Sequence, residues 1–173
     1  MLIHGLTLPD TRHLGVRMID YIHDHIFPAA FAFLPKKMDS TEARTMLLAI
    51  GLQESRFEHR KQIGGPARGF WQFEKGGGVV GVFRHRASKL YAVSATRELG
   101  YFDTDATVYE AIQHNDVLAC VFARLLLWTL PQALPTTQEK AWDQYIDAWR
   151  PGKPHYETWG AFYERAEEIT KGD

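Results

Sequence analysis

The stretch from Asn115 to Leu130 constrains the fold of this chain most. Within it, VLACVFARLLLW is apolar at every helical position except Arg124, and Pro131 stops it. A helix that is apolar all round has to be enclosed by other elements, so the spacing predicts a central buried helix. The rest of the chain also reads as helical. Leu14, Met18, Tyr21, Ile22 and Ile26 suit a first helix ended by Phe27-Pro28. A second runs from Asp39 to about Glu54, with Asp39 and Glu42 as a capping box and Met46, Leu47, Ile50 and Leu52 as its buried face. Shorter helices follow over 79–85, 88–99 (closed by Gly100) and 107–113. Thr136 with Glu139 caps a helix reaching Trp149, and the last helix spans Tyr156 to about Lys171.

Residues 56–75 read as a loop broken by Gly64-Gly65-Pro66 and Gly69, with at most a small β-hairpin in it, and Gly76-Gly77-Gly78 reads as a flexible joint. The expectation is a mainly α fold. With no repeat, low-complexity tract or linker, residues 1–173 read as a single domain.

Composition narrows the function. A net charge of −1 argues against a broad basic field, so neither nucleic acid nor an anionic membrane surface is an expected partner. No apolar run approaches the ~20 residues that span a bilayer. The one cysteine, Cys120, permits no intramolecular disulfide and reads as a buried apolar residue. The start, MLIHGLTLPDTRHLG, lacks the pattern of a signal peptide, so synthesis in the cytoplasm is expected. His23 and His25 lack the i, i+4 spacing of a helical metal pair, and no metal or cofactor is expected.

The chemistry concentrates between Leu47 and Phe73. An apolar helical run delivers Glu54 at its polar end. Leu52, Phe57, Phe70 and Trp71 are placed to desolvate it, and the negative end of the helix dipole acts in the same direction. A glutamic acid that stays protonated near neutral pH can protonate a glycosidic oxygen.

Glu54-Ser55-Arg56-Phe57, followed by Pro66-Ala67-Arg68-Gly69-Phe70-Trp71-Gln72, resembles the soluble lytic transglycosylases of the lysozyme-like superfamily. Their motifs are Glu-Ser-x-aromatic and then Gly-Ala-x-Gly-Leu-x-Gln, and Gln72 follows Glu54 by 18 positions, as the family spacing requires. The resemblance implies a lysozyme-like, goose-type helical domain that cleaves the glycan strands of peptidoglycan. It implies that Glu54 is the single catalytic acid/base and that Ser55 orients the substrate or the glutamate. Gln72 would line the groove and bond sugar, with Phe70 and Trp71 as groove wall or packing. A third family motif, Ala-Tyr-Asn-x-Gly, brings a tyrosine to the glutamate. The nearest candidate here is Tyr145 in Gln144-Tyr145-Ile146-Asp147-Ala148, where Ile146 replaces Asn. The family's loop Ser and Gly are replaced by Ile63 and Pro66.

The implied reaction breaks the β-1,4 bond between N-acetylmuramic acid and N-acetylglucosamine and closes a 1,6-anhydro ring without consuming water. A hydrolase would employ a second carboxylate. Glu58 lies in a self-neutralising charged run, whereas Glu74 follows Gln72 by two residues and is a candidate for the same groove. Trp142, Trp149, Trp159, Tyr145, Tyr156 and Tyr163 read mainly as core, with one or two left to stack on sugars. Arg150-Pro151-Gly152-Lys153-Pro154-His155 reads as a rigid basic loop facing acidic peptide stems or a partner protein. The missing export signal and disulfides are similar to virion-associated muralytic proteins of tailed phages, in which the tail carries the enzyme to the host wall and tail proteins are partners. A structural tail protein with little activity, a water-using lysozyme and a holin-dependent endolysin remain as alternatives.

Overall fold

The computed structural model describes residues 18–172. The chain is mainly helical, and side chains cap the N-termini of four of its α-helices among the described residues. In order, the α-helices are α1 (Phe27–Phe31), α2 (Thr41–Ser55), α3 (Val80–Arg84), α4 (Lys89–Glu98), α5 (Asp105–His114), α6 (Asp116–Trp128), α7 (Gln138–Trp149) and α8 (Tyr156–Lys171). Thr104, Asn115 and Thr137 each accept a hydrogen bond from the backbone N–H three residues on, opening α5, α6 and α7.

α6 is the enclosed helix that its composition requires, with every residue from Leu118 to Leu127 buried. Arg124 is inside as well. Its Nε donates to the Met38 carbonyl at 2.8 Å and its guanidinium lies 5.2 Å from the Trp128 ring centre, while burial pushes its pKa down to about 10. Cys120 is buried beside it, and burial pushes its thiol well above the ordinary range. α8 presents Trp159, Tyr163, Ala166 and Thr170 as a buried stripe, and it packs more extensively on α2 than any other pair of elements. Thr170 and Thr45 share a hydrogen bond of 2.6 Å across that contact. One hydrophobic core runs continuously from Ile19 to Ala166.

Four local expectations need correction. Pro28 does not end the first helix. The start expected at Leu14 lies outside the described residues, but the chain is helical from residue 18. It widens to a π-turn over Ile22–Ile26 and continues as α1 with Pro28 in the first turn. Proline has no N–H and its ring collides with the carbonyl four residues back, so the wide turn ahead of it and a fresh α-turn around it remove both conflicts. Ser40 rather than Asp39 caps α2, accepting from Ala43 N at 3.2 Å, because Asp39 is held by Arg44 in a two-pronged pair at 2.8 and 2.9 Å. Thr137 rather than Thr136 caps α7. Gly76-Gly77-Gly78 is not a joint. It lies in a π-turn, Lys75–Val79, that leads directly into α3. The loop over 56–75, for which at most a small hairpin is expected, carries only isolated bridges between Lys61 and Arg68 and between Arg68 and Phe73.

Candidate active site

α2 carries Glu54 one residue before its end. The helix stops because Arg56 and Phe57 are both left-handed, at φ 56° and 55°. Such a conformation is costly without glycine, so neighbouring contacts have to hold it. Ser55 supplies several. Its buried hydroxyl donates to the Phe70 carbonyl at 2.7 Å and accepts from Phe57 N at 3.2 Å. The Arg56 guanidinium sits 4.3 Å from the Phe162 ring centre. The Phe57 ring folds back over α2, where a Cβ on Gly51 would lie 2.2 Å from it, so that helix position has to be glycine. Ser55 therefore ties the helix end to the following loop. It makes no hydrogen bond to the Glu54 carboxylate and does not line the cleft described below; of the two roles expected of it, orienting the glutamate is the one its bonds suit, through the helix end they fix.

The loop returns beneath Glu54. Gly69 turns it at φ 72°, pressed against α5 so closely that a Cβ would stand 2.7 Å from the Ile112 side chain. This places Phe70 and Trp71 inside, both fully buried, with their rings 5.5 and 5.9 Å from Phe57. Trp71 Nε1 donates to the Leu47 carbonyl at 2.8 Å. Of the two roles expected for Phe70 and Trp71, packing holds and groove wall is corrected: their bonds and rings are spent fixing the loop to α2. Gln72, at φ 50°, does line the cleft, and its amide Nε2 donates to Gly69 O at 2.8 Å. Ile63 is exposed at the loop tip, and Pro66 anchors the loop by accepting the Tyr109 hydroxyl.

The cleft has a volume of about 1080 Å³ and is lined by Glu54, Gln72, Glu74, Tyr145, Asp147 and Trp149 among others. Its central feature joins residues far apart in the chain: the Tyr145 hydroxyl, on α7, donates to Glu54 Oε1 at 2.6 Å. Tyr145 is fixed in turn by stacking on Trp159, ring centres 5.2 Å apart and 11° from parallel. Burial raises the Glu54 pKa to about 7. The Tyr145 hydrogen bond opposes that rise, and the negative charge of Glu74 adds to it. Burial, and the neighbouring Glu54, push the Tyr145 phenol well above its ordinary value, so it remains a donor. Glu54 is thus a carboxylic acid that is still substantially protonated near pH 7, with one oxygen engaged by a phenol.

The far wall is built from the basic loop and one of the aromatics noted in the sequence, but no local pattern placed them in the same cleft as Glu54. Trp149 lines the cleft while donating to the Trp71 carbonyl at 2.8 Å, and the loop after it, from Arg150 to His155, lines the cleft too. Gln53, next to Glu54, clamps that loop: its Nε2 donates to the His155 carbonyl at 3.0 Å, and its Oε1 accepts from the Thr158 hydroxyl at 3.0 Å. Of the six aromatics, Trp149 and Tyr145 line the cleft, whereas Trp142, Tyr156, Trp159 and Tyr163 do not. Among the described residues no group of three His, Cys, Asp or Glu side chains is placed to hold a metal ion, and no helix is long and apolar enough to cross a membrane. Comparison with protein-family models, with curated proteins and with solved structures finds no match to this chain.

Proposed function

We propose that this chain is a peptidoglycan lytic transglycosylase with a lysozyme-like helical fold. The reading is carried by one observation: Glu54, its pKa raised to about 7, stands in a large cleft with a tyrosine hydroxyl on one of its oxygens. With Oε1 accepting from Tyr145, the proton of the neutral acid is carried on Oε2. Glu54 donates it to the glycosidic oxygen between N-acetylmuramic acid and N-acetylglucosamine as the C1–O bond breaks. The resulting carboxylate takes the proton of the muramic acid's 6-hydroxyl, whose oxygen closes onto C1. The acid is regenerated, no water is consumed, and the product is a 1,6-anhydro sugar. Tyr145 donates to the carboxylate while it is charged, and Gln72 and Trp149 supply a polar and an aromatic wall for the sugars.

The presence of Glu74 in the same cleft favours a second reading, a hydrolase in which that carboxylate assists an attacking water. Digestion of purified peptidoglycan, with mass spectrometry of the muropeptides, separates them. Anhydro ends support the transglycosylase and reducing ends the hydrolase. Equal digestion by wild type and Glu54→Gln would sink both. The same proposal takes a phage tail as the carrier, consistent with a chain whose single cysteine requires no oxidising compartment; its detection in purified virions tests that part.

A further inference from the structure

The cleft's far wall contains two cations that no described residue pairs with in a salt bridge. Arg150 and Lys153 both line the cleft, and neither forms an ion pair among the described residues. The one hydrogen bond of the Arg150 side chain is a long contact of 3.4 Å to a neutral acceptor, the Asp147 carbonyl. His155, at the end of the same loop, has its ring nitrogen engaged by Glu157 at 2.9 Å. The two cations are therefore the loop's unspent charges.

They are also held in place. Arg150 is left-handed at φ 50° and closes α7 through its backbone N–H. Pro151 and Pro154 restrict the backbone between them. Trp149 fastens the start of the loop to Trp71, and Gln53 fastens its end through the His155 carbonyl and Thr158. Gln53 is the residue before Glu54, so the element that carries the acid also positions the cationic wall. Glu74 lines the cleft from the loop after Gln72 and Asp147 from the last turn of α7, which confines anion recognition to the 150–153 edge.

We infer that Arg150 and Lys153 form an anion subsite that binds a carboxylate carried by the glycan near the bond cleaved at Glu54. The inference rests on the proposed function, because in peptidoglycan the anions close to that bond are carboxylates: the lactyl group of muramic acid, or the peptide attached to it. Chitin-type strands, built from N-acetylglucosamine alone, carry neither. A pair of cations on a fixed loop distinguishes these polymers by charge, and the selection is sensitive to salt.

The test is fluorescence anisotropy with three end-labelled soluble strands: neutral chitooligosaccharide, peptide-free glycan bearing lactyl carboxylates, and peptide-bearing glycan. Glu54→Gln serves as the background, to prevent turnover. Anionic strands should bind about tenfold or more tightly than the neutral one at low salt, the value of one or two charge-assisted contacts. The gap should close in Arg150→Gln/Lys153→Gln and at about 0.5 M salt, where charges are screened within a few ångströms. Lys153→Glu, an exposed change that leaves the loop's prolines and anchors intact, should disfavour the anionic strands. A gap already present with peptide-free glycan assigns the lactyl carboxylate, and one that appears only with peptides assigns the stem. Equal affinity for neutral and anionic strands, or an unchanged gap in the variants, overturns the inference. The proposed function is read separately, from wild-type cleavage products: loss of that activity claim with the charge preference intact would leave an anion-binding cleft without the chemistry.

Discussion

Glu54→Gln should make the folded protein more stable, and by an amount that depends on pH. In the unfolded chain the carboxyl titrates near its ordinary 4.5, whereas in the cleft burial raises it to about 7. Below pH 4.5 both states hold the proton and the group contributes nothing to the pH dependence. As pH rises towards 7 the unfolded chain ionises freely while the folded chain resists, so stability falls across that window and levels off above it. The gap converts at ~1.36 kcal/mol per pH unit to a ceiling of roughly 3 kcal/mol, since one side of Glu54 meets the open cleft and its water. The glutamine amide is never charged and keeps an oxygen for the Tyr145 hydroxyl. Relative to wild type, Glu54→Gln should therefore melt at about the same temperature at pH 4 and up to about 6–12 °C higher at pH 8, using ~2–4 °C per kcal/mol for a domain of this size. Differential scanning calorimetry of both proteins over that pH range measures it. An equal difference at pH 4 and pH 8, or a lower melting temperature at pH 8, would refute the claim that Glu54 is held protonated by burial.

Tyr145→Phe removes the 2.6 Å hydrogen bond that holds the Glu54 pKa down, so the basic limb of the pH–rate profile should move up by about one pH unit and kcat should fall by about tenfold or more; a limb that stays put or moves down contradicts that role. Gly69→Ala forces a side chain onto a backbone at φ 72° and a Cβ to within 2.7 Å of the Ile112 side chain and 3.0 Å of its carbonyl oxygen. It should cost about 2–4 kcal/mol in denaturant unfolding, and a cost under ~0.5 kcal/mol would show that the loop relaxes there.

The features legible in the sequence were those set by local pattern. The apolar run around Phe122 could only be an enclosed helix, and the position of Glu54 at the end of another followed from helix periodicity. Tyr145 was identifiable only from its sequence neighbourhood, and the structure brings its hydroxyl to Glu54. What could not be read depended on competition in three dimensions. Asp39 and Ser40 are both good capping residues, and the claim of Arg44 on Asp39 decides between them. Thr136 and Thr137 pose the same ambiguity. Phe70 and Trp71 stand in a glycine-bounded loop, where aromatics equally suit a binding wall or a core plug; the backbone turn at Gly69, pressed against Ile112, sends them inward. The Arg150–His155 wall is placed by bonds spanning as many as 105 positions, beyond the reach of any local pattern.

That reach in sequence has a consequence for when the protein becomes competent. Glu54 and Tyr145 lie 91 residues apart, and the Gln53 clamp reaches further still. A chain still emerging from the ribosome, or one cut between α6 and α7, carries Glu54 as an ordinary solvated acid, ionised at neutral pH and unable to give up a proton it no longer holds. The environment that raises its pKa includes the C-terminal helices docked against α2. Proton affinity at this one side chain is thus a readout of complete assembly, and the acid chemistry we propose would require the C-terminal helices to be docked.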